Sequence, residues 1–472
     1  MKADATELAR QVRDDEVSPD ELLDDALARV EAASELNAVT MAEADAARAA
    51  IARGLPDGPF RGVPFLLKDL GCEARDYPSN LGSRLFAGTR YDYDSAIYER
   101  LRATGLVTFG RTTAPELGIG IATEAAVYRG PTRNPWNLDH TPGGSSGGAA
   151  AAVAAGIVPV AHGSDGGGSV RVPASCCGLF GFKPTRARLP DGPESGEGWA
   201  GMAIDGFLTW SVRDQAALLD ACAGPDLGAP YHAPAMEETF AQAAEREPAK
   251  LRVALCDTTF DGEPIHPDCA AAARDAGRLL ESLGHHVALA RPTVDNRAMM
   301  EAWTRIVACG TAAAVRAKLS ALGRPLADDD VEPVVRDALR VANGVSGADY
   351  VRDLDAIHAY GRAMARFFVD YDLLVTPTLA VPPPAIGALD HSRPDYLDYR
   401  MGPTGVFAAS PYCAAFNASG QPAASVPLGM SDDLPVGVHL AASFGADATL
   451  IGVCAQLERA APWGARRPPA WN

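Results

Sequence analysis

The sequence predicts an α/β fold built as one large domain, and two observations carry that prediction. Short apolar runs alternate with amphipathic helical stretches in two separate parts of the chain. At 472 residues, 47% of them hydrophobic, the chain also suffices to bury a large core. No internal repeat is visible.

In chain order, the first strong signal is SPDE, from Ser18 to Glu21. It offers serine as N-cap, proline at the first helical position and glutamate three residues on, and Leu22, Leu23, Ala26 and Val30 follow at helical spacing. N-terminal helices are expected over residues 1–50. The apolar run Val63–Leu67 is a strand candidate, YDYDSAIYERLRATG reads as a helix and LVTFGRT as the next strand, within a core section of about residues 60–220. From Leu251, LRVALC, PDCAAAARDAGRLLESLGHH and VALARP repeat strand, helix and strand, with Gly284 closing the helix.

Residues 296–368 read mostly helical and are expected to form a lobe over the sheet. The acidic run Asp328–Asp330 inside it has no histidine or second carboxylate cluster at ligand spacing, and is read as a solvated helix start. YDLLVTPT is a buried-strand candidate opening the C-terminal part of the sheet, about residues 370–460, and LAVPPPAIGALDHSRPDY is an irregular loop.

Composition removes whole classes of function. Acidic residues outnumber basic ones, 60 to 42, for a net charge of -18 with no basic run, so nucleic acid and anionic membrane are not expected as partners. The N-terminal stretch is charged throughout and lacks the apolar segment of a signal peptide or membrane span, which predicts a soluble, cytoplasmic protein. Nine scattered cysteines, with Cys176 and Cys177 adjacent and none in a C-x-x-C pair, fit buried reduced thiols rather than disulfides or zinc.

The chemistry concentrates between Gly143 and Ser175, where serines and glycines surround a short alanine-rich segment, Ala149–Ala155, read as a close-packing helix. Gly143, Ser145 and Gly147 satisfy G-x-S-x-G literally, but the preceding NPWNLDHTP is turn-forming, whereas a nucleophile elbow needs a strand there. The nearest downstream histidine, His162, lies in the apolar run IVPVAH and reads as a core residue rather than a catalytic one. No lysine has a serine three positions before it, so the S-x-x-K arrangement is absent.

A third scheme fits: a neutral lysine as base, a bridging serine, and a nucleophilic serine beside free backbone N–H groups. Lys68 in GVPFLLKDL and Lys183 in FGFKPT both sit in apolar surroundings that would depress their pKa, and local sequence does not choose between them. Gly166, Gly167 and Gly168 before Ser169 leave the backbone open to a substrate oxygen.

Taken together, GGSSGGAAAAVAAG, GSDGGGSVRVPAS, FGFKPT and the upstream GVPFLLKD resemble the amidase signature family of serine hydrolases. The resemblance runs from DDEVSPDELL through RNPWN and FNASGQPAASVPLG to LERAAPW, strongest from Gly143 to Thr185. It implies a mixed, twisted central sheet covered by helices on both faces, and a small, rather apolar amide as substrate. It further implies Ser169 as nucleophile, Ser145 as bridging serine after a cis bond from Gly144, and Lys68 as base. The oxyanion hole would be the N–H groups of Gly166, Gly167, Gly168 and Ser169, with Ser146, Asp165 and Arg171 in support. No metal or organic cofactor is expected, and a homodimer is the assembly the family suggests.

Three departures from the family pattern stand out: Gly166 where many members carry a larger residue, Ala187 in place of a glycine, and Pro190 in place of a serine. Candidate pocket walls are Gly118–Glu124, with Gly120, Ile121 and Thr123, the loop DYPSNLGS, and the segment holding Trp199, Phe207 and Trp210. The same machinery would serve carbamates or esters, and the glutaminase subunit of the glutamyl-tRNA amidotransferases shares it. A non-catalytic binding paralogue would need one of the three site residues replaced, and all three types are present.

Overall fold

The apolar runs become strands of one sheet. The structure is a computed structural model that describes residues 1 and 3–469. Among these, eleven strands pair: β1 (Val39–Ala42), β2 (Pro64–Lys68), β3 (Val107–Thr112), β4 (Val160–Asp165), β5 (Phe180–Lys183), β6 (Ile204–Thr209), β7 (Arg252–Leu255), β8 (His286–Leu289), β9 (Leu373–Pro377), β10 (Ala423–Ser431) and β11 (Leu434–Ala442). Their spatial order is β1-β3-β2-β4-β6-β5-β10-β11-β9-β7-β8. The sheet is mixed: β2 runs parallel to β3 and β4, β7 runs parallel to β8 and β9, and the other neighbours are antiparallel.

The strands β2, β3, β5, β9 and β11 are buried along their whole length, which is why β2 and β9 read as apolar runs rather than alternating ones. Helices Gly147–Ala154, Val212–Cys222, Pro267–Ser282 and Asp447–Ala460 pack against the sheet. The first of these is buried on every side, and its glycines explain how: a Cβ at Gly148 would lie 2.4 Å from the Thr113 nitrogen. Small residues bring helix and strand into direct backbone contact.

Ser18 caps the Pro19–Ala32 helix in a complete capping box, as its sequence predicts. Gly284, at φ +89°, follows the Pro267–Ser282 helix. The 296–368 region folds as three helices, Asn296–Leu322, Pro333–Asn343 and Gly347–Asp370, the second and third each packed on the first. Asp328–Asp330 is not a helix start. Asp330 accepts from the Ala327 N–H at 2.7 Å and pairs with Arg324 at 2.6 Å, closing a turn, and the helix begins only at Pro333. All nine cysteines are free, and eight of them are buried. No helix among the described residues is long and apolar enough to cross a membrane.

Candidate active site

Two neighbouring strands and one glycine-rich turn assemble the site. Lys68 is the last residue of β2, Ser164 and Asp165 end β4, and the chain leaves β4 through Gly166–Ser169 into the helix Arg171–Cys177. Ser145 precedes the Gly147–Ala154 helix, and the Gly144–Ser145 peptide is cis, as the resemblance implies.

Lys68 is fully buried, and Nζ donates to Ser145 Oγ at 2.7 Å and to Ser164 Oγ at 2.9 Å. Burial lowers its pKa to about 7, against the opposing pull of Asp165 and Asp205. Lys183 is equally buried and also lowered to about 7 by burial, but its Nζ donates to the Pro184 carbonyl at 2.8 Å. Geometry therefore separates two lysines that local sequence leaves equivalent. Ser164 has no counterpart in the sequence-based expectation; its signal is the β4 alternation, which turns Ser164 to the same side as His162.

Ser169 is 8% exposed and lines the same cavity as Ser145, although no hydrogen bond joins the two hydroxyls among the described residues. Ser146 ties the two loops together: its N–H donates to the Ser169 carbonyl at 3.1 Å, and its hydroxyl donates to the Ser164 carbonyl at 3.3 Å. Asp165 and Arg171, both without solvent exposure, form the brace beneath. Arg171 grips the carboxylate at 2.8 and 3.0 Å, and Asn417 Nδ2 adds a bond at 3.0 Å. Burial works to raise the Asp165 carboxyl, and the Arg171 charge and these bonds overcome it, holding it well below the usual range.

The brace changes the expected oxyanion set. The Gly168 N–H donates to Asp165 Oδ1 at 2.7 Å, so it is committed to holding the loop. That leaves the N–H groups of Gly166, Gly167 and Ser169 as the candidates.

The cavity has a volume of about 310 Å³. Its floor holds Ser145, Ser164, Gly166 and Ser169. Leu70, Leu117, Ile97 and Trp199 give apolar walls, and Gly310, Thr311 and Ala314 of the Asn296–Leu322 helix close one side. Its charged wall residues are Glu73, Asp191 and Asp205, with no lysine or arginine among the lining. Burial and the neighbouring Asp205, Asp226, Glu197 and Glu73 push Asp191 up to about 8.

Trp199 lies on the wall, at φ +49°, and its ring occupies the space that a side chain at position 166 would take: a Cβ there would meet the ring at 2.5 Å. Trp303 crosses Trp199 edge-on at 5.9 Å and donates from Nε1 to the Gly166 carbonyl at 3.2 Å.

Five other expected wall residues fall outside the lining. Thr123 donates to the Gly143 carbonyl at 2.8 Å. The Ile121 backbone backs Gly144, and Gly120 faces the Tyr399 hydroxyl. Phe207 is fully buried on β6, opposite His162. Trp210 likewise is buried and donates to the Val153 carbonyl. The apolar character that suggests a pocket wall here serves the core. The wall residues from the helical lobe lie too far along the chain for local sequence to announce them.

Fold and family together define an amidohydrolase. Residues 21–451 match the Amidase family, and the chain belongs to it. It is 40% identical over 480 residues to the 6-aminohexanoate-cyclic-dimer hydrolases of Paenarthrobacter ureafaciens and of Pseudomonas sp. (strain NK87), covering 99% of this chain and 97% of each relative. Among solved structures, 6-aminohexanoate cyclic dimer hydrolase complexed with substrate matches with a TM-score of 0.93 at 38% identity, over 100% of this chain and 99% of that one. A bacterial aryl acylamidase of the amidase signature family matches at 0.87 and 29%, over 98% and 97%.

Proposed function

We propose that this enzyme hydrolyses the C–N bond of small, fairly apolar amides, cyclic or linear, through an acyl-enzyme on Ser169. The observation that carries the reading is Lys68 Nζ, buried and lowered to about 7, at 2.7 Å from Ser145 Oγ in the cavity that Ser169 shares. A group that is half neutral near pH 7 suits base work there.

In the cycle, neutral Lys68 takes the Ser145 proton, Ser145 takes the Ser169 proton, and Ser169 Oγ bonds to the amide carbon. The oxyanion meets the N–H groups of residues 166, 167 and 169. On collapse the C–N bond breaks, the proton held on Lys68 passes back through Ser145 to the leaving nitrogen, and the amine departs. Water then gives its proton to the same relay, attacks the ester carbon and releases the acid, with Ser169 regaining its proton.

Two features favour neutral, compact substrates. The cavity is small, and its lining offers no lysine or arginine to pair with a substrate carboxylate. The likeness to hydrolases named for 6-aminohexanoate cyclic dimer agrees with an apolar acyl chain.

The test is a hydrolysis panel in which one aryl leaving group is presented as acyl amide, carbamate and ester, with 6-aminohexanoate cyclic dimer and free glutamine alongside. Turnover of the acyl amide, abolished in a folded Ser169→Ala variant, is the expected result. Carbamate cleavage with weak amide cleavage would make the enzyme a urethanase, and turnover surviving in Ser169→Ala would remove the nucleophile.

A further inference from the structure

His162, by sequence a core histidine, joins two parts of the site. It lies fully buried on β4, between β2 and β6. β2 and β4 pair at a single register position, Leu66 opposite Ala161, and then part. Beyond that point the Lys68 N–H is taken up by a side chain: it donates to His162 Nδ1 at 3.2 Å. The Lys68 carbonyl is held in the same manner from the other flank, by Arg111 Nη1 of β3 at 2.7 Å. Both main-chain polar groups of Lys68 are thus gripped by buried side chains of the flanking strands.

A main-chain N–H only donates, so His162 Nδ1 is an acceptor and the ring proton sits on Nε2. Nε2 faces Asp205 Oδ1 at 3.0 Å, on the diagonal of the β4–β6 pair in which Ser164 lies opposite Asp205. Asp205 is the end of this chain of bonds that reaches substrate space. Its side chain keeps 13% exposure, and it stands on the cavity wall with Ser145 and Ser169.

We propose that Asp205 and His162 form a positioning relay for Lys68: the carboxylate fixes His162 with its proton on Nε2, and His162 holds the Lys68 main chain where the strands diverge, so that Nζ stays on Ser145. The relay rests on the reading of Lys68 as the base. Asp205 and His162 are positioning residues, acting through the lysine.

The relay also carries charge. The groups around Lys68 are Asp69 next along the chain, Arg111 from β3, His162 and Asp165 from β4, and Asp205 from β6, with Glu73 and Asp191 further along the cavity wall. Asp205 is one of the two carboxylates that favour the charged lysine against burial. Losing its charge while keeping its shape lowers the pH at which neutral Lys68 becomes available.

The test uses the full-length enzyme. Asp205→Asn keeps an acceptor for His162 Nε2 but removes the charge, and the rising limb of the kcat/KM profile is expected to move to lower pH by about one unit. His162→Leu removes the grip on the Lys68 N–H, and kcat is expected to fall on the order of 100-fold. His162→Asn, whose amide oxygen can stand in for Nδ1, is expected to recover roughly tenfold of that loss, a rescue that a purely packing role would not give. Should His162→Leu fail to fold, the Asp205→Asn profile and the His162 tautomer decide the matter.

Nitrogen-15 NMR of the imidazoles, with His162 assigned by its loss in His162→Asn, is expected to show a neutral ring protonated on Nε2. An unmoved limb in Asp205→Asn, or a His162 ring protonated on Nδ1, overturns the relay. If Ser169→Ala retains turnover, the proposed function fails separately, and the relay stands or falls on the tautomer.

Discussion

Among the described residues, Lys68 Nζ sits 2.7 Å from Ser145 Oγ with only hydroxyls and one carbonyl within hydrogen-bond reach, and no carboxylate among them. A buried ammonium in that setting lacks the partner that would hold its charge, so desolvation dominates and the neutral amine becomes accessible near neutrality. Placing a base inside the protein and denying it an ion pair is what makes a lysine fit for this work.

The rate therefore has a defined pH dependence. Lysine works as base only when deprotonated, and its folded pKa is lowered to about 7, so kcat/KM is expected to climb through pH 7 and level off above it. A steady-state profile from pH 5 to 9 reads this directly, and a limb displaced toward 10 would assign it to an ordinary exposed lysine.

Ser164 gives the lysine a second hydroxyl at 2.9 Å. Ser164→Ala removes one bond to Nζ without removing the relay through Ser145, so kcat is expected to fall about tenfold while Ser145→Ala falls far more, by ~1000-fold. Equal losses in the two variants, measured on one amide substrate, would place Ser164 in the proton path itself.

Strands such as β2 and β9 were legible because they are buried along their length as apolar runs, whereas β5 and β11, equally buried, carry glycine and polar residues that interrupt the run. The serine–glycine stretch was legible because few other chemistries demand so many small residues together. Local sequence could not choose between Lys68 and Lys183, since both follow apolar runs and both are buried; the family resemblance favoured Lys68, and the third dimension shows that Lys68 is the one that meets a serine. The same limit applies to the pocket. Phe207 and Trp210 have the composition of a wall and the position of a core, whereas Gly310 and Thr311 reach the cavity from a helix far along the chain. The commitment of the Gly168 N–H to Asp165 is invisible in a run of three glycines, because it depends on where the loop folds back.

Lys183 supplies a control. Its folded pKa is depressed, so the penalty for burying the charged form is fully present below about pH 7, where the folded and unfolded chains both carry the proton, and fades as pH rises toward the unfolded value of 10.5. Lys183→Met is expected to raise stability on the order of 2 kcal/mol at pH 6, with the gain shrinking by pH 9, and to leave turnover in place. Denaturant midpoints at the two pH values measure it; a loss of stability at pH 6 would show that the Pro184 bond outweighs the desolvation.

Ala187, which stands where the family favours glycine, keeps the left-handed backbone at φ +58°. An L side chain in that region costs about 1 kcal/mol, partly offset by the greater unfolded-state freedom of glycine. Ala187→Gly is expected to raise the thermal midpoint by about 0.3 °C, since a few tenths of a kcal/mol is divided by an unfolding entropy of about 1 kcal/mol/K in a chain of this size. A lowered midpoint in calorimetry would mean that the methyl group makes contacts worth more than the strain.

Gly166 and Trp199 fit as a pair. A Cβ at position 166 would lie 2.5 Å from the Trp199 ring, and the Gly166 carbonyl is held by Trp303 on the other side, so the backbone has little room to retreat. Gly166→Ala is expected to push the ring or the loop and cut kcat/KM on the order of 100-fold through misplaced oxyanion donors. Trp199→Ala alone opens the wall and weakens substrate binding. If the clash is the cause, the double variant is less impaired than the sum of the two losses, with a coupling of roughly 1 to 2 kcal/mol. Additive losses in that double-mutant cycle would mean that Gly166 acts through its own backbone freedom, and the room for a larger residue elsewhere in the family would then need an explanation other than the tryptophan.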